Sequence, residues 1–195
     1  MKPIVAVSGG TDSALALFLV CEYVLKNKLE NEVQIKPTHG FDNTRKVAYS
    51  PAAADRVIEY MRKRFPTVNI HKTHHFEYNN VTQNKHDYHR LEFNKLRKDF
   101  GWDQKIIYGG TKQPEHFDSP SKNDVRKGSE YEDPYMDLLR PYDKKWVAKM
   151  YYEKELEDIF PYTVSCIADF KTPCKKCWWC KEKYWAFNAY DGENI

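Results

Sequence analysis

The chain has 195 residues, of which 30% are charged, and 31 lysines and arginines against 28 acidic residues leave a formal net charge of +3. This length allows one substantial hydrophobic core, so we predict a single domain over residues 1–195. The longest apolar run, residues 14–21, is too short to span a bilayer, which argues against a membrane protein and for a cytoplasmic one. The mildly basic charge suits acidic small molecules or weak nucleic-acid contact and does not decide between them.

Short apolar segments alternate with segments of helical spacing through the first half of the chain. We predict four buried strands, at residues 4–7, 33–37, 68–73 and 105–108. We predict three helices between them, at residues 13–27, from Pro51 behind an N-capping Ser50, and from an N-capping Asp87 through Leu91 to a stop at Gly101. This alternation predicts an α/β fold, a parallel sheet with helices on both faces, which binds ligands at the carboxyl ends of its strands.

The rest of the chain has a different pattern. Residues 111–134 are polar and rich in Pro, Ser, Asp and Lys, and we predict that they form a lid or a disordered insertion. A last helix is predicted from Asp143 to about Asp158. Residues 160–187 are dense in Cys, Lys and Trp and form a distinct C-terminal element within the same domain.

An abrupt turn joins the first predicted strand to the first predicted helix. It consists of Ser8, Gly9, Gly10, Thr11, Asp12 and Ser13, which we call the glycine loop. Backbone N–H groups at such a helix start can bind a phosphate, and two glycines let an anion approach without a Cβ in the way. The spacing does not fit G-x-x-x-x-G-K-[ST] or G-x-G-x-x-G. A tight turn with a polar cap explains the residues singly but not their combination.

The sequence SGGTDS resembles the S-G-G-x-D-S loop of the PP-loop ATP pyrophosphatases, whose members adenylate a carbonyl or carboxylate oxygen and release pyrophosphate. The resemblance implies the Rossmann-like fold of the adenine nucleotide alpha hydrolases, with ATP and Mg²⁺ bound. It implies that the Ser8 and Ser13 hydroxyls and the backbone through Thr11 hold the phosphates. Asp12 would orient the loop or a Mg²⁺ ion, since a bare carboxylate repels a triphosphate, and Asp12 and Ser13 are the predicted catalytic residues.

Four of the five cysteines lie close together near the end of the sequence: Cys166, Cys174, Cys177 and Cys180, which we call the cysteine cluster. In a reducing compartment such cysteines are metal or catalytic candidates before disulfides. The C-x7-C-x2-C-x2-C spacing can close a tetrahedral zinc site, and neighbouring lysines offset the negative charge. An iron–sulfur cluster is the competing interpretation. Cys21, inside the first helix, is most simply a core thiol.

The glycine loop and the cysteine cluster together narrow the resemblance. A loop of this kind, followed by T-x-S-C and P-C-x-x-C-x-x-C, is similar to the 7-cyano-7-deazaguanine synthase family of queuosine biosynthesis, and here the second motif runs from Thr163 to Cys180. Pro141 with Lys144 or Lys145 resembles that family's approach to its zinc site. The resemblance implies that 7-carboxy-7-deazaguanine becomes the nitrile with ATP and free ammonia, through an adenylated acid and then an amide.

The middle of the chain departs from that family. Residues 38–42 replace a Tyr-Gly-Gln type loop and keep only Gly40, and residues 111–134 replace a Tyr-Pro-Asp-Cys segment. The family's Pro-Gly-Arg-Asn segment has no clear copy, although Arg90 lies in a comparable stretch. These loops contact the deazaguanine in the family, so the resemblance implies the ATP chemistry more directly than the acceptor. A close analogue of the deazapurine acid is therefore an open alternative.

Two other functions are open alternatives to the deazaguanine chemistry. Another PP-loop enzyme would amidate or thiolate a different acid or base, although no second cysteine lies near Gly109 to carry a persulfide. A zinc-containing nucleic-acid module would use aromatic residues of the tail, which can equally pack the cluster onto the core. A second metal site at His71, His74 and His75, with His86 and His89, is disfavoured because strand alternation separates neighbouring histidines. Homodimer formation is a further open expectation.

Overall fold

The computed structural model describes residues 1–43, 51–79, 82, 85–101, 105–112, 114, 135–167 and 172–195. In these ranges the strands are β1 (Ile4–Ala6), β2 (Gln34–Asp42), β3 (Asn69–Ile70), β4 (His74–Tyr78), β5 (Ile106–Tyr108) and β6 (Tyr135–Asp137). The helices are α1 (Thr11–Lys26), α2 (Pro51–Arg64), α3 (Lys85–Phe100), α4 (Lys144–Glu153) and α5 (Trp178–Phe187), with a 3₁₀ helix at Glu157–Tyr162. The predicted Ser50 cap and almost all of the predicted insertion lie outside the described residues. No helix in the described ranges is long and apolar enough to cross a membrane.

All described strand pairs are parallel, in the order β3-β2-β1-β5-β6, and β4 also pairs with β2. This confirms the predicted parallel sheet. The glycine loop follows β1, the central strand, so it lies in the middle of the sheet's carboxyl edge. The strand predicted at residues 68–73 is wrong in its extent, since only β3 lies within it, and β4 begins directly after it and runs to Tyr78.

The second strand was predicted to stop at Pro37, and this is wrong, because β2 continues to Asp42. Proline lacks an N–H and is usually kept out of central strands. The N–H of Lys36 donates to the carbonyl of Pro3, directly before β1, and since alternate residues face alternate edges, the nitrogen of Pro37 faces the other edge. On that edge β2 pairs with β3 as far as Ile35, and its pairing with β4 begins at Thr38. Pro37 therefore lies where the partner strand changes and no ladder bond is lost.

Helices cover both faces of the sheet, as predicted. Ile4 and Val5 are neighbours in β1, yet they belong to different hydrophobic clusters because successive side chains of a strand point to opposite faces. The cluster around Val5 contains side chains from α1, α2, α4 and α5, whereas the cluster around Ile4 contains Phe93 and Leu96 from α3. Leu91, on the same helix α3, is half exposed.

The C-terminal third differs from the prediction in its helices. The helix starts where it was expected to, and Asp143 caps α4 by accepting a hydrogen bond from the N–H of Trp146 at 3.0 Å. The helix does not reach Asp158, because it ends at Glu153 and Glu155 adopts a φ of 54°, which breaks the helix before the 3₁₀ turn. Neither β6 nor α5 was predicted. The polar, cysteine-rich sequence around α5 hides its helical spacing, since its buried side chains include the charged Glu182 and Lys183.

Replacing Gly9 with alanine is expected to lower the free energy of unfolding by about 3 kcal/mol or more. Gly9 has a φ of 85°, and an added Cβ would lie 2.7 Å from the carbonyl carbon of Ala53 and 2.8 Å from its Cβ, at the start of α2. Gly101→Ala is the matched control, since Gly101 has a φ of 60° but open space around it. Its cost should be about 1–2 kcal/mol. Urea denaturation of both variants measures the difference, and equal costs would contradict the close packing of α2 on the loop.

Candidate functional site

The glycine loop turns the chain from β1 into α1. Gly10 is the N-cap of α1, with extended backbone angles, and no side chain caps the helix. The first turn closes with the N–H of Ala14 bonded to the carbonyl of Gly10 at 3.0 Å. The N–H groups before Ala14 have no partner within the helix, and they carry the positive end of its dipole. The start of α1 therefore has the donors and the potential that bind an anion.

Hydrogen bonds inside the loop hold its shape. Ser13 Oγ donates to the carbonyl of Gly10 at 3.0 Å and accepts from the N–H of Ser8 at 3.1 Å. Ser8 Oγ lies 3.1 Å from Ser13 Oγ, and with the Ser13 proton directed to Gly10 it is Ser8 that donates. Thr11 is fully buried, and among the described residues its Oγ1 has no hydrogen-bond partner. Ser13 thus braces the turn, whereas Thr11 offers an unused hydroxyl.

Other elements fix the loop from outside. The hydroxyl of Tyr151, on α4, donates to the carbonyl of Thr11 at 3.0 Å. Burial, with the nearby charge of Asp12, raises the pKa of Tyr151 well above its usual value, so the hydroxyl stays a donor. Gly109, at the end of β5, touches the loop so closely that a Cβ would lie 2.5 Å from the carbonyl oxygen of Asp12. The loop is therefore held before any ligand binds.

Asp12 forms a buried ion pair with Lys144. The Nζ of Lys144 donates to Asp12 Oδ1 at 2.6 Å, and the two side chains are 6% and 18% exposed, respectively. Thr111 Oγ1 lies 3.5 Å from Asp12 Oδ2. Lys144 begins α4, where a cation is disfavoured by the helix dipole, so its position is explained by Asp12 and not by helix stability. The pair places one cation and one carboxylate beside the anion-binding start of α1.

A cleft of about 890 Å³ opens beside the glycine loop at the carboxyl ends of the strands. Its wall away from the loop is aromatic, formed by Phe76, Tyr78, His89, Phe93 and Tyr108. The His89 ring packs edge-on against Phe76 and Tyr78, with centroid separations of 5.0 and 5.3 Å. Gly40 allows this packing, since a Cβ there would lie 2.5 Å from the Phe76 ring. The wall suits a planar aromatic ligand.

Charged side chains of both signs line the same cleft. The cations are Arg90, Lys112, Arg140 and Lys144, and the acidic residues are Asp12, Asp87, Asp137 and Glu182. Arg90 and Asp87 form an exposed ion pair at 3.3 Å. Asp137, at the end of β6, accepts a hydrogen bond from the N–H of Gly110 at 3.3 Å. Lys112, Arg140 and Lys144 are cations that a polyphosphate can use.

The four sulfurs of the cysteine cluster all lie within 4.8 Å of one another. Tetrahedral zinc with Zn–S bonds of about 2.3 Å separates its sulfurs by about 3.8 Å, so a small contraction would complete the site. Cys166 and Cys180 are buried and Cys174 and Cys177 are half-buried. In the part of the chain that the structure describes, this is the group of ligand-type side chains able to hold a metal ion such as zinc.

Backbone donors prepare the cluster for a metal. The N–H groups of Lys176 and Cys177 donate to the Cys174 sulfur and lower the pKa of that thiol to about 6. The N–H of Cys174 in turn donates to Cys166 Sγ at 3.3 Å. Burial instead raises the pKa of Cys180. Metal binding requires thiolates, so these N–H groups favour the form that binds.

Residues next to the cysteine cluster line the same cleft as the glycine loop. The N–H of Val164 donates to the carbonyl of Gly9 at 2.8 Å, joining the segment before Cys166 directly to the loop. Val164, Ser165, Trp179 and Glu182 line the cleft beside it. Two motifs separated by about 150 residues of sequence are thus brought together.

The histidines are separated, as strand alternation predicts. His74 Nε2 lies 3.4 Å from Glu92 on α3, whereas His75 Nε2 lies 3.0 Å from Asp55 on α2, so the two rings face opposite sides of the sheet. His71 belongs to neither contact, and burial lowers its pKa. His89, a candidate metal ligand in the sequence, lies in the aromatic wall of the cleft.

The aromatic tail residues are packed against their own chain. Phe187 lies in the core with Tyr151 and Phe160. Tyr184 stacks on Tyr190 with centroids 4.7 Å apart, and Lys145 lies 4.7 Å from the centre of the Trp185 ring. The burial of Phe187 agrees with the packing interpretation, whereas Tyr184 stays 44% exposed.

Sequence reasoning missed several residues that form the site. Tyr151 and Asp137 gave no motif, and Lys144 carried only a resemblance without a role. The one usable signal was Lys144 itself, a lysine directly after the helix-capping Asp143, where the helix dipole favours an acid.

No protein-family model matches this chain, and no curated protein matches it significantly. The interpretation of the glycine loop and the cysteine cluster therefore depends on their own residues and geometry.

Proposed function

We propose that this protein is an ATP-dependent enzyme that adenylates the carboxylate of a 7-deazaguanine acid and then transfers ammonia to it. One observation carries the proposal: the segment that leads into the cysteine cluster lines the same cleft as the glycine loop, and the hydrogen bond from Val164 to Gly9 joins the two. The PP-loop resemblance supplies the chemistry, and with it the finer expectation of a Rossmann-like, adenine nucleotide alpha hydrolase fold.

Features of the loop fit a nucleotide polyphosphate. The start of α1 supplies backbone donors, and Thr11 Oγ1 is a buried hydroxyl with no partner among the described residues. A buried polar atom without a partner is costly unless a ligand satisfies it. Lys112, Arg140 and Lys144 line the adjacent cleft and would neutralise the phosphates. ATP is therefore the proposed first substrate, bound with its phosphates against residues 8–13.

Asp12 is the carboxylate placed to hold Mg²⁺ beside those phosphates. Carboxylate oxygen is a preferred ligand of this ion. The positive charge of Mg²⁺ would offset the repulsion between the Asp12 carboxylate and the phosphates. Lys144 faces the same carboxylate at 2.6 Å and can shift its charge toward the departing pyrophosphate. The cysteine cluster would hold zinc in a structural role, because four cysteine ligands leave no open position for a substrate.

The aromatic wall fits the acceptor. Phe76, Tyr78 and His89 offer ring edges and faces to a planar heterocycle, and the cleft has room for a second substrate next to ATP. A carboxylate oxygen of the acid attacks the α-phosphorus, and the bond to pyrophosphate breaks. Ammonia then attacks the carboxyl carbon and AMP leaves with the oxygen. Forming the nitrile removes the remaining oxygen, which requires a second adenylation, this time of the amide.

Purified protein given magnesium ATP, 7-carboxy-7-deazaguanine and ammonium is expected to release AMP and pyrophosphate and to form an amide and then a nitrile. Mass spectrometry identifies the products, and ion-pair chromatography measures the amounts of AMP and ADP formed. Omitting ammonium should stop amide formation, and Ser13→Ala should slow AMP release by about 10-fold or more because the loop loses its brace. ATP binding without any AMP release would reject this acid as the acceptor.

A further inference from the structure

A second buried ion pair lies behind the cysteine cluster. Lys183 Nζ donates to Asp191 Oδ1 at 2.6 Å, and the two side chains are 1% and 9% exposed. Lys183 also lies 4.1 Å from the centre of the Phe160 ring. Burial lowers the pKa of Lys183, and Asp191 partly offsets this. Charges buried this deeply are seldom kept for stability, because well-packed apolar residues often stabilise a core as well.

Both members of this pair hold one short segment, residues 163–166. The Asp191 carboxylate accepts hydrogen bonds from the N–H of Ser165 at 2.9 Å and from that of Cys166 at 2.7 Å. Lys183 donates to Thr163 at its carbonyl oxygen, 3.2 Å away, and at Oγ1, 2.9 Å away. Neighbouring N–H groups bound to one carboxylate leave this backbone little freedom.

The same segment joins the two halves of the site. Cys166 contributes one sulfur to the cluster, and its Sγ accepts from the N–H of Cys174. Two residues earlier, Val164 donates to Gly9 of the glycine loop at 2.8 Å. Asp191 therefore binds the stretch of backbone that lies between a metal-ligand sulfur and the loop. A shift of this stretch would move both ends together.

We propose that Asp191, held by Lys183, is a positioning residue that couples the cysteine cluster to the glycine loop, so that metal binding at one and nucleotide binding at the other strengthen each other. This inference rests on the proposed function, since it takes ATP as the loop's ligand. Coupling between two sites is reciprocal, so ATP must tighten metal binding at equilibrium by the factor by which metal tightens ATP binding. A factor of about 10 lies within the usual range.

The first measurement uses the zinc-loaded wild-type protein. A colorimetric chelator of known zinc affinity, brought to equilibrium with the protein, measures the zinc dissociation constant with and without saturating magnesium ATP, and calorimetry measures ATP affinity in parallel. We expect ATP to tighten zinc binding by about 10-fold. If calorimetry detects ATP binding but the zinc dissociation constant is unchanged, the coupling is overturned and the proposed function stands. If ATP does not bind, the proposed function fails and the coupling with it.

The second measurement compares Asp191→Asn with Glu193→Gln. Asparagine keeps the size of the side chain but turns an N–H donor toward Lys183 or the backbone. Glu193 is the matched control, since it pairs with Lys175 at 3.3 Å on the exposed side of the same terminal turn. We expect zinc-loaded D191N to bind ATP about 10-fold more weakly and to lose the tightening of zinc binding by ATP, and E193Q to retain both. A purely structural role predicts weaker zinc binding by D191N with its ATP affinity and the tightening by ATP unchanged, which would overturn the proposal.

Discussion

Replacing Lys144 with methionine is expected to lower kcat/KM for ATP by about 10²- to 10³-fold. Lys144 is buried in the cleft and lies 2.6 Å from Asp12. Methionine fills similar space without the charge, so the Asp12 carboxylate would lose its cation partner and only Mg²⁺ would offset its charge beside the phosphates. Removing one preorganised charge from a reacting centre costs about 3–4 kcal/mol of transition-state stabilisation. Initial rates of pyrophosphate release at several ATP concentrations give the loss.

Lys149→Met is the matched control, because Lys149 lies on the same helix, is 66% exposed and pairs with Glu153. Its kcat/KM should stay within about twofold of the wild type, as exposed pairs contribute little. Lys144→Arg should recover part of the activity, since it restores the charge with a different geometry. If K144M and K149M have the same rate, Lys144 has no part in the chemistry.

Replacing Cys177 with serine should remove the metal and destabilise the protein. The four sulfurs lie within 4.8 Å of one another, and losing one leaves three ligands and a weaker site. Zinc binding is coupled to folding, so we expect a loss of about 3–5 kcal/mol, which lowers Tm by roughly 6–20 °C in a chain of this size. Zinc content falls from about one ion per chain to near zero. Elemental analysis and thermal denaturation measure the two effects.

Cys21→Ala provides the control for that experiment. Cys21 is fully buried in α1, away from the cluster, so its loss should lower stability without changing the metal content. Elemental analysis also separates zinc from iron, because an iron–sulfur cluster would bring iron, labile sulfide and visible colour. Full metal content in C177S would contradict the four-cysteine site.

The sequence predicted those parts of the site that depend on local spacing. The glycine loop follows an apolar run directly, and the cysteines lie within one short stretch, so their chemistry could be inferred without the fold. The parallel sheet followed from the alternation of strand and helix patterns. The start of the last helix near Asp143 was correctly predicted, because a helix start depends on only a few neighbouring residues.

The rest depends on contacts between distant segments. The extension of β2 through Pro37 is possible only because the partner strand changes there, which no local pattern encodes. Lys183 and Asp191 resemble surface charges in the sequence, and only the folding of the C-terminal turn buries them together. Tyr151 reaches the glycine loop from α4, and its role follows from the packing of α4 against α1.

The central claim is that a carboxylate becomes an adenylate in the cleft, and oxygen transfer tests it directly. The acid is prepared with ¹⁸O in both carboxylate oxygens and incubated with the protein, magnesium ATP and ammonium. Mass spectrometry then measures the mass of the AMP that is released. The account predicts that each AMP released carries one ¹⁸O from the acid and that the nitrile carries none. AMP without ¹⁸O, or ADP in its place, would contradict it.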